Sequence, residues 1–206
     1  MPKPVALVDL EGVIFPEMWP SIASAIGDRK LEVTTREVAD YPTLMTQRLK
    51  LLRSNGVQLA DVQEIVSRLS FLPGSIDFIE ALKSFAEVVI VTDSFAPMND
   101  SALEALSVSR VFTNHLTVDC HGFAADCFYW HIGCGKERVY EFLHDRQSPV
   151  LAIGDGFNDL AMLRRADLGI LFDPSDMTLR SAGELPVLRN LEQVLPKFSA
   201  FADVHA

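Results

Sequence analysis

A chain of 206 residues, 49% hydrophobic and 22% charged, has the apolar content for a sizeable core and the length for one domain carrying a substantial insertion. That composition excludes disorder and a fibrous repeat. With 28 acidic against 18 basic residues the formal charge is -10, which opposes broad attraction to nucleic acid or to an anionic membrane, so neither is expected as a partner.

No apolar run approaches the roughly 20 residues needed to span a bilayer. The opening Met1-Pro2-Lys3-Pro4 leads into a short apolar run that Asp9 and Glu11 interrupt, unlike a signal peptide, and a cytoplasmic location is expected. Three cysteines, Cys120, Cys127 and Cys134, cannot all pair within one molecule and fit that compartment as reduced thiols.

In chain order, the first element is a short apolar strand at 5–10. From 17 to about 72 no strand pattern occurs. Instead 43–52 and 59–69 read as amphipathic helices around Ser54-Asn55-Gly56, and Leu72-Pro73-Gly74 reads as a return hinge. A structureless connection of that length is improbable, so a small helical subdomain inserted after the first strand is expected. Residues 75–85 then place Ile76, Ile79, Leu82 and Phe85 at helical spacing, followed by a strand at 87–92 and a hairpin within 111–130 turning at 119–122. A strand at 149–154, a helix at 158–166 opened by Asn158 and a strand at 168–172 complete the pattern. Strands this uniformly apolar are buried on both faces, which predicts an α/β fold with a Rossmann-like, doubly wound parallel sheet. The expected division is a core of 1–15 and 73–206 and a helical cap of 16–72.

Chemistry concentrates where strands end. Asp9-Leu10-Glu11-Gly12-Val13 sets two carboxylates at i and i+2 where a buried strand runs into a turn, the position at which α/β folds collect ligands. One carboxylate can act as nucleophile and the other transfer protons, although two surface acids in a turn would read the same way. Gly154-Asp155-Gly156-Phe157-Asn158-Asp159 repeats the arrangement after the strand at 149–154. Asp155 and Asp159 offer hard oxygen ligands suited to magnesium, with Asp155 the better inner ligand and Asp159 equally fit to favour a helix N-terminus. Thr92, followed by Asp93-Ser94, and Lys136, after Gly135, have the donors to hold phosphate oxygens, yet each alone is an ordinary structural residue.

The order acid pair, Thr, Lys, acids resembles the haloacid dehalogenase superfamily of phosphatases over nearly the whole chain, with Asp9 to Val13, Thr92, Lys136 and Gly154 to Asp159 matching its four motifs. Within it the chain looks closest to the phosphoserine phosphatases, in particular the bacterial subgroup with homoserine phosphotransferase activity. Residues 9–17, Thr34-Thr35-Arg36, Asp40-Tyr41 and Met45-Thr46-Gln47-Arg48-Leu49 carry that narrower match. Glu11 stands where most of the superfamily has Asp, and the region before Lys136, Cys134-Gly135, departs from the family pattern.

The resemblance implies that Asp9 attacks a phosphate monoester. Two unit charges about 4 Å apart cost roughly 4 kcal/mol at an effective dielectric near 20, so a cation is needed. It implies Mg2+ held by Asp9, the Glu11 backbone carbonyl and Asp155, with Asp159 nearby, Thr92 and Lys136 on the phosphoryl group, and Glu11 as proton-transfer group. For a phosphorylated amino acid, Glu17 would meet the ammonium and Arg48 the carboxylate, while Ser94 and Asn158 complete the pocket. The residues themselves equally allow Glu17 as a helix cap and Arg48 on a solvated face. Met18 and Trp19 would either shield the site or pack the insertion on the core. The resemblance also allows a homodimer. His115, Cys120, His121, Cys127, His131 and Cys134 cluster in sequence without a compact Cys-x2-Cys pair, so ordinary placement is favoured over zinc. A receiver-like signalling module uses similar residues but carries its phosphorylated Asp on a separate strand before Thr.

Overall fold

The computed structural model describes residues 3–34, 37–38, 40–143 and 148–204. Thr35 and Arg36 of the family-like stretch, and Met1 and Pro2, lie outside the described residues.

The chain runs β1 (Val5–Val8), α1 (Met18–Ile26), α2 (Tyr41–Ser54), α3 (Leu59–Ser67), α4 (Ser75–Phe85), β2 (Glu87–Ala96), α5 (Asp100–Leu106), β3 (Arg110–Val118) and β4 (Ala124–Phe128). It continues through β5 (Val150–Gly154), α6 (Leu160–Arg165), β6 (Leu168–Phe172), α7 (Asp176–Leu179), β7 (Val187–Leu188) and α8 (Leu191–Val204). One seven-stranded sheet results, ordered β4-β3-β2-β1-β5-β6-β7, parallel except for the antiparallel β3–β4 hairpin. The hairpin turns at Asp119, whose carboxylate accepts from the His121 and Phe123 amides.

The strands are apolar on both faces because both are covered. Ala6, Val8, Val88 and Ile90 face α4 and α8 through Phe78, Leu82, Val194 and Phe198, whereas Val5, Leu7, Val89 and Val91 face α6 through Leu160, Met162 and Leu163. The helices between β1 and α4 do not build a core of their own. Met18, Trp19, Ile22, Met45, Leu49, Leu52, Val62 and Val66 belong to the same apolar cluster as the first sheet face.

Besides shifts of one or two residues, such as β1 ending at Val8, two boundaries differ from expectation. Thr92 does not end its strand, since β2 continues to Ala96. It lies instead where the pairing with β3 shifts register between Val91 and Phe95, a bulge that turns local backbone groups away from the ladder. The helix expected from Asn158 is preceded by a 3-10 turn (Phe157–Asp159), and Asp159 rather than Asn158 takes the N-cap position of α6. α1, α5, α7, β7 and α8 are additional elements. α8 carries Pro196 inside it, a residue that argues against a continuous helix in sequence. No helix among the described residues is long and apolar enough to cross a membrane.

Candidate active site

β1 lies at the centre of the sheet between β2 and β5, where the chain leaves in one direction and later returns on the other side. Ligands of open α/β sheets gather outside the carboxyl ends of strands at such a switch point. These three strands lead to Asp9, Thr92 and Asp155.

Asp9 follows β1 directly and is 5% exposed, which overturns its reading as a surface acid. Its Oδ1 accepts from the Leu10 amide at 2.8 Å and pairs with Lys136 Nζ at 2.7 Å. Lys136 opens a 3-10 helix (Lys136–Glu141), and its side chain is 1% exposed. The same ammonium reaches Asp159 Oδ1 at 2.7 Å, while Asp159 Oδ2 accepts from the Gly156 amide at 2.8 Å. Gly154 makes this tuck possible, because a Cβ there would stand 2.4 Å from the Asp159 carboxyl carbon.

Carboxylate oxygens of Asp9, Asp155 and Asp159 lie within 4.8 Å of one another, a set of hard ligands matched to a divalent cation. Burial, then the Asp159 charge, pushes the Asp9 carboxyl well up, with Lys136 opposing. Burial and Asp159 likewise push Asp155 up to about 7. Three acids around one ammonium leave an excess of negative charge that a divalent cation would neutralise.

Gly12 closes this cluster. Its φ is +81°, and a Cβ would fall 2.4 Å from the Asp155 carboxyl carbon. Gly12→Ala therefore combines backbone strain with displacement of a candidate ligand. The expected result is at least a roughly 10-fold loss of divalent-cation affinity by calorimetric titration; unchanged affinity would show that Asp155 does not bind from this position.

Glu11 points elsewhere. Its Oε1 accepts from the Met18 amide at 2.8 Å, so this carboxylate sits at the N-terminus of α1. Burial, then the Glu17 charge, pushes its carboxyl up to about 8. A group that holds its proton near neutrality suits proton transfer. Glu17 occupies the N-cap of α1 but makes no capping bond with its side chain. Although it is exposed at the surface, desolvation by the surrounding protein still raises its carboxyl, with Arg48 and Lys136 opposing.

Arg48 is 6% exposed, so the solvated-face alternative does not hold. Its guanidinium carbon lies 4.3 Å from the centre of the Trp19 ring. Nη2 donates to the Val33 carbonyl at 2.9 Å, Nη1 approaches Met45 Sδ at 3.7 Å, and the buried Nε has no partner. A buried N–H without an acceptor is costly and fits a site that expects an anionic group. Trp19 is thus a platform under Arg48, a role that its adjacency to Met18 did not announce. Thr92 is buried with its Oγ1 accepting from the Ser94 amide at 3.0 Å, which leaves the hydroxyl proton available to an acceptor. Ser94 is also buried, and its hydroxyl meets Met18 Sδ at 3.7 Å. Asn158 is exposed and donates to Asp93 Oδ2.

Sequence reasoning missed Asp93 and His131, whose side chains meet at 2.6 Å. They are 38 positions apart, Asp93 within β2 and His131 in the segment after β4, and no spacing rule connects them.

A family model for haloacid dehalogenase-like hydrolases matches residues 4–167. A phosphoserine phosphatase of Pseudomonas syringae pv. tomato is 32% identical over 196 residues, covering 94% of this chain and 81% of that protein. Phosphoserine phosphatase ThrH of Pseudomonas aeruginosa is also 32% identical over 196 residues, covering 94% of each. A substrate-bound phosphoserine phosphatase complex has the same fold, with a TM-score of 0.76 at 20% identity and coverage of 96% of this chain and 99% of that one.

Proposed function

The chain belongs to the haloacid dehalogenase-like hydrolases and is a phosphomonoester hydrolase, and from that premise we propose that it hydrolyses O-phosphoserine to serine and phosphate with magnesium, through an aspartyl phosphate on Asp9. The observation that carries this reading is the convergence of Asp9, Lys136, Asp155 and Asp159 beyond β1 and β5, with Thr92 on neighbouring β2. The names of the two relatives at 32% identity support the substrate.

An Asp9 carboxylate oxygen attacks phosphorus and the bond from phosphorus to the serine oxygen breaks. Glu11 gives its proton to the departing alkoxide, then removes one from the water that attacks the aspartyl phosphate, which releases phosphate and restores Asp9. Magnesium held by Asp9, the Glu11 backbone carbonyl and Asp155 would supply charge neutralisation at the phosphoryl oxygens. Asp159, with both oxygens engaged, orients Lys136 beside it. Lys136 and the Thr92 hydroxyl donate to phosphoryl oxygens, and the exposed Asn158 amide lies at the rim.

Residues 16–72 act in this reading as a selectivity cap on the core of 1–15 and 73–206. Arg48, with its unpartnered Nε, receives the substrate carboxylate, Glu17 the ammonium, and Ser94 lines the pocket. A second copy of the chain and a cytoplasmic setting are compatible with this activity. Phosphoryl transfer to homoserine requires only that another alcohol replace water at the second step.

The test is turnover of a panel of small phosphomonoesters with and without magnesium, and with homoserine added. Phosphoserine should be preferred, and a preference for sugar phosphates would overturn the substrate. Arg48→Ala is expected to raise the phosphoserine KM by roughly 10-fold to 100-fold, the loss of a charge-assisted bidentate contact. A phosphate ester without a carboxylate should change little in KM, and equal losses for both would remove Arg48 from recognition.

A further inference from the structure

Asp93 joins four segments at the mouth of the site. Its Oδ1 meets His131 Nε2 at 2.6 Å and its Oδ2 accepts from Asn158 Nδ2. Its backbone carbonyl accepts from the Tyr41 hydroxyl at 3.0 Å and from Asn114 Nδ2 at 2.8 Å. The first turn of α2, β3, the segment after β4 and the loop after β5 thus meet on one residue of β2.

His131 is the least ordinary member of this group because both its ring nitrogens face acceptors. Nδ1 lies 3.2 Å from the Cys134 carbonyl, and Nε2 faces a carboxylate. A neutral imidazole carries one N–H and satisfies one of them, whereas the imidazolium satisfies both. Asp93 is ionised: burial pushes its carboxyl up, but Lys136 and the His131 bond prevail and bring it to about 2. Burial also opposes the charge on His131, and the bond and charge of Asp93 again prevail, raising it. Other charged groups on neighbouring elements are Lys136 and Arg138, and the latter donates to the Trp130 carbonyl at 3.1 Å.

We propose that His131 is a positioning residue: held as an imidazolium between the Cys134 carbonyl and the Asp93 carboxylate, it fixes Asp93, which through Asn158 pins the loop of Asp155 and Asp159 against the strand that carries Thr92. The inference rests on the phosphoryl-transfer reading for what the pinned loop does, but the clamp itself does not. It assigns a purpose to part of the His- and Cys-containing segment, which no role in phosphate or amino-acid recognition absorbs.

Two measurements test it on the full chain. In protein labelled with 15N-histidine, with the His131 signals assigned by their loss in His131→Ala, the wild type should show two N–H protons on His131 near neutral pH; a single tautomer would overturn the clamp. In steady-state assays with a carboxylate-free phosphate ester, His131→Ala should lower kcat and raise the magnesium concentration for half-maximal rate, each by roughly 10-fold, the usual scale for partners that orient ligand-bearing groups. His131→Gln, which keeps a donor toward Asp93, should recover most of that loss. His131→Ala kinetics equal to an active wild type would overturn the positioning role. A wild type inactive on phosphoserine as well would instead reject the phosphatase reading and leave the proton count to decide the clamp.

Discussion

Asp9→Asn is expected to lower phosphoserine turnover by roughly 10^3-fold or more while leaving the protein at least as stable as the parent in the absence of divalent cation. The amide keeps the shape of the carboxylate but cannot form the acyl phosphate. Stability does not fall because the ionised Asp9 is unfavourable in its surroundings. Burial and the neighbouring Asp159 and Asp155 raise its carboxyl pKa despite Lys136. A folded-state pKa above the unfolded value means that stability declines as pH rises between the two values, and the amide removes that decline. Lys136 retains Asp159 as a partner. Turnover within tenfold of wild type would reject Asp9 as nucleophile, and a clear drop in melting midpoint would reject the electrostatic account.

The opposite pattern is expected for Lys136→Met. This ammonium is fully surrounded by protein and is the cation that Asp9 and Asp159 share. Its removal leaves buried carboxylates facing one another, a defect that costs about 3–5 kcal/mol when one partner of a buried pair is lost. Asp9 then rises further toward its protonated form and cannot attack, so activity is lost together with stability. Urea unfolding and phosphoserine turnover, each with and without magnesium, measure both effects, because a cation in the acid cluster should restore part of the stability without restoring turnover. A change below about 1 kcal/mol without magnesium would place Lys136 among ordinary surface pairs.

The parallel sheet was legible because its strands are short, apolar and bounded by turn residues. The acids were legible because both groups stand immediately after such strands. Thr92 was placed at a strand end because apolar character stops there, yet hydrogen bonding carries β2 on to Ala96. Asn158 looked like a cap by composition, but its amide turns to Asp93 and Asp159 takes the position. Pro196 concealed α8, since one lost N–H is tolerated when Leu191, Val194 and Phe198 are buried around it. Arg48 on Trp19 and His131 on Asp93 were not legible at all. Both depend on side chains brought together by tertiary packing, for which periodicity carries no signal.

The apolar layer shared by the inserted helices and the sheet sets a rule for protein engineering. Met18, Ile22, Met45 and Val62 fit against residues such as Val8, Phe95 and Met98 within one cluster. A chimera that grafts the helices of a relative onto this scaffold, to exchange substrate preference, must transplant the opposing sheet and loop side chains as well. Without them the graft would leave mismatched voids and overlaps beneath the pocket, and the hybrid would lose solubility before its selectivity could be read.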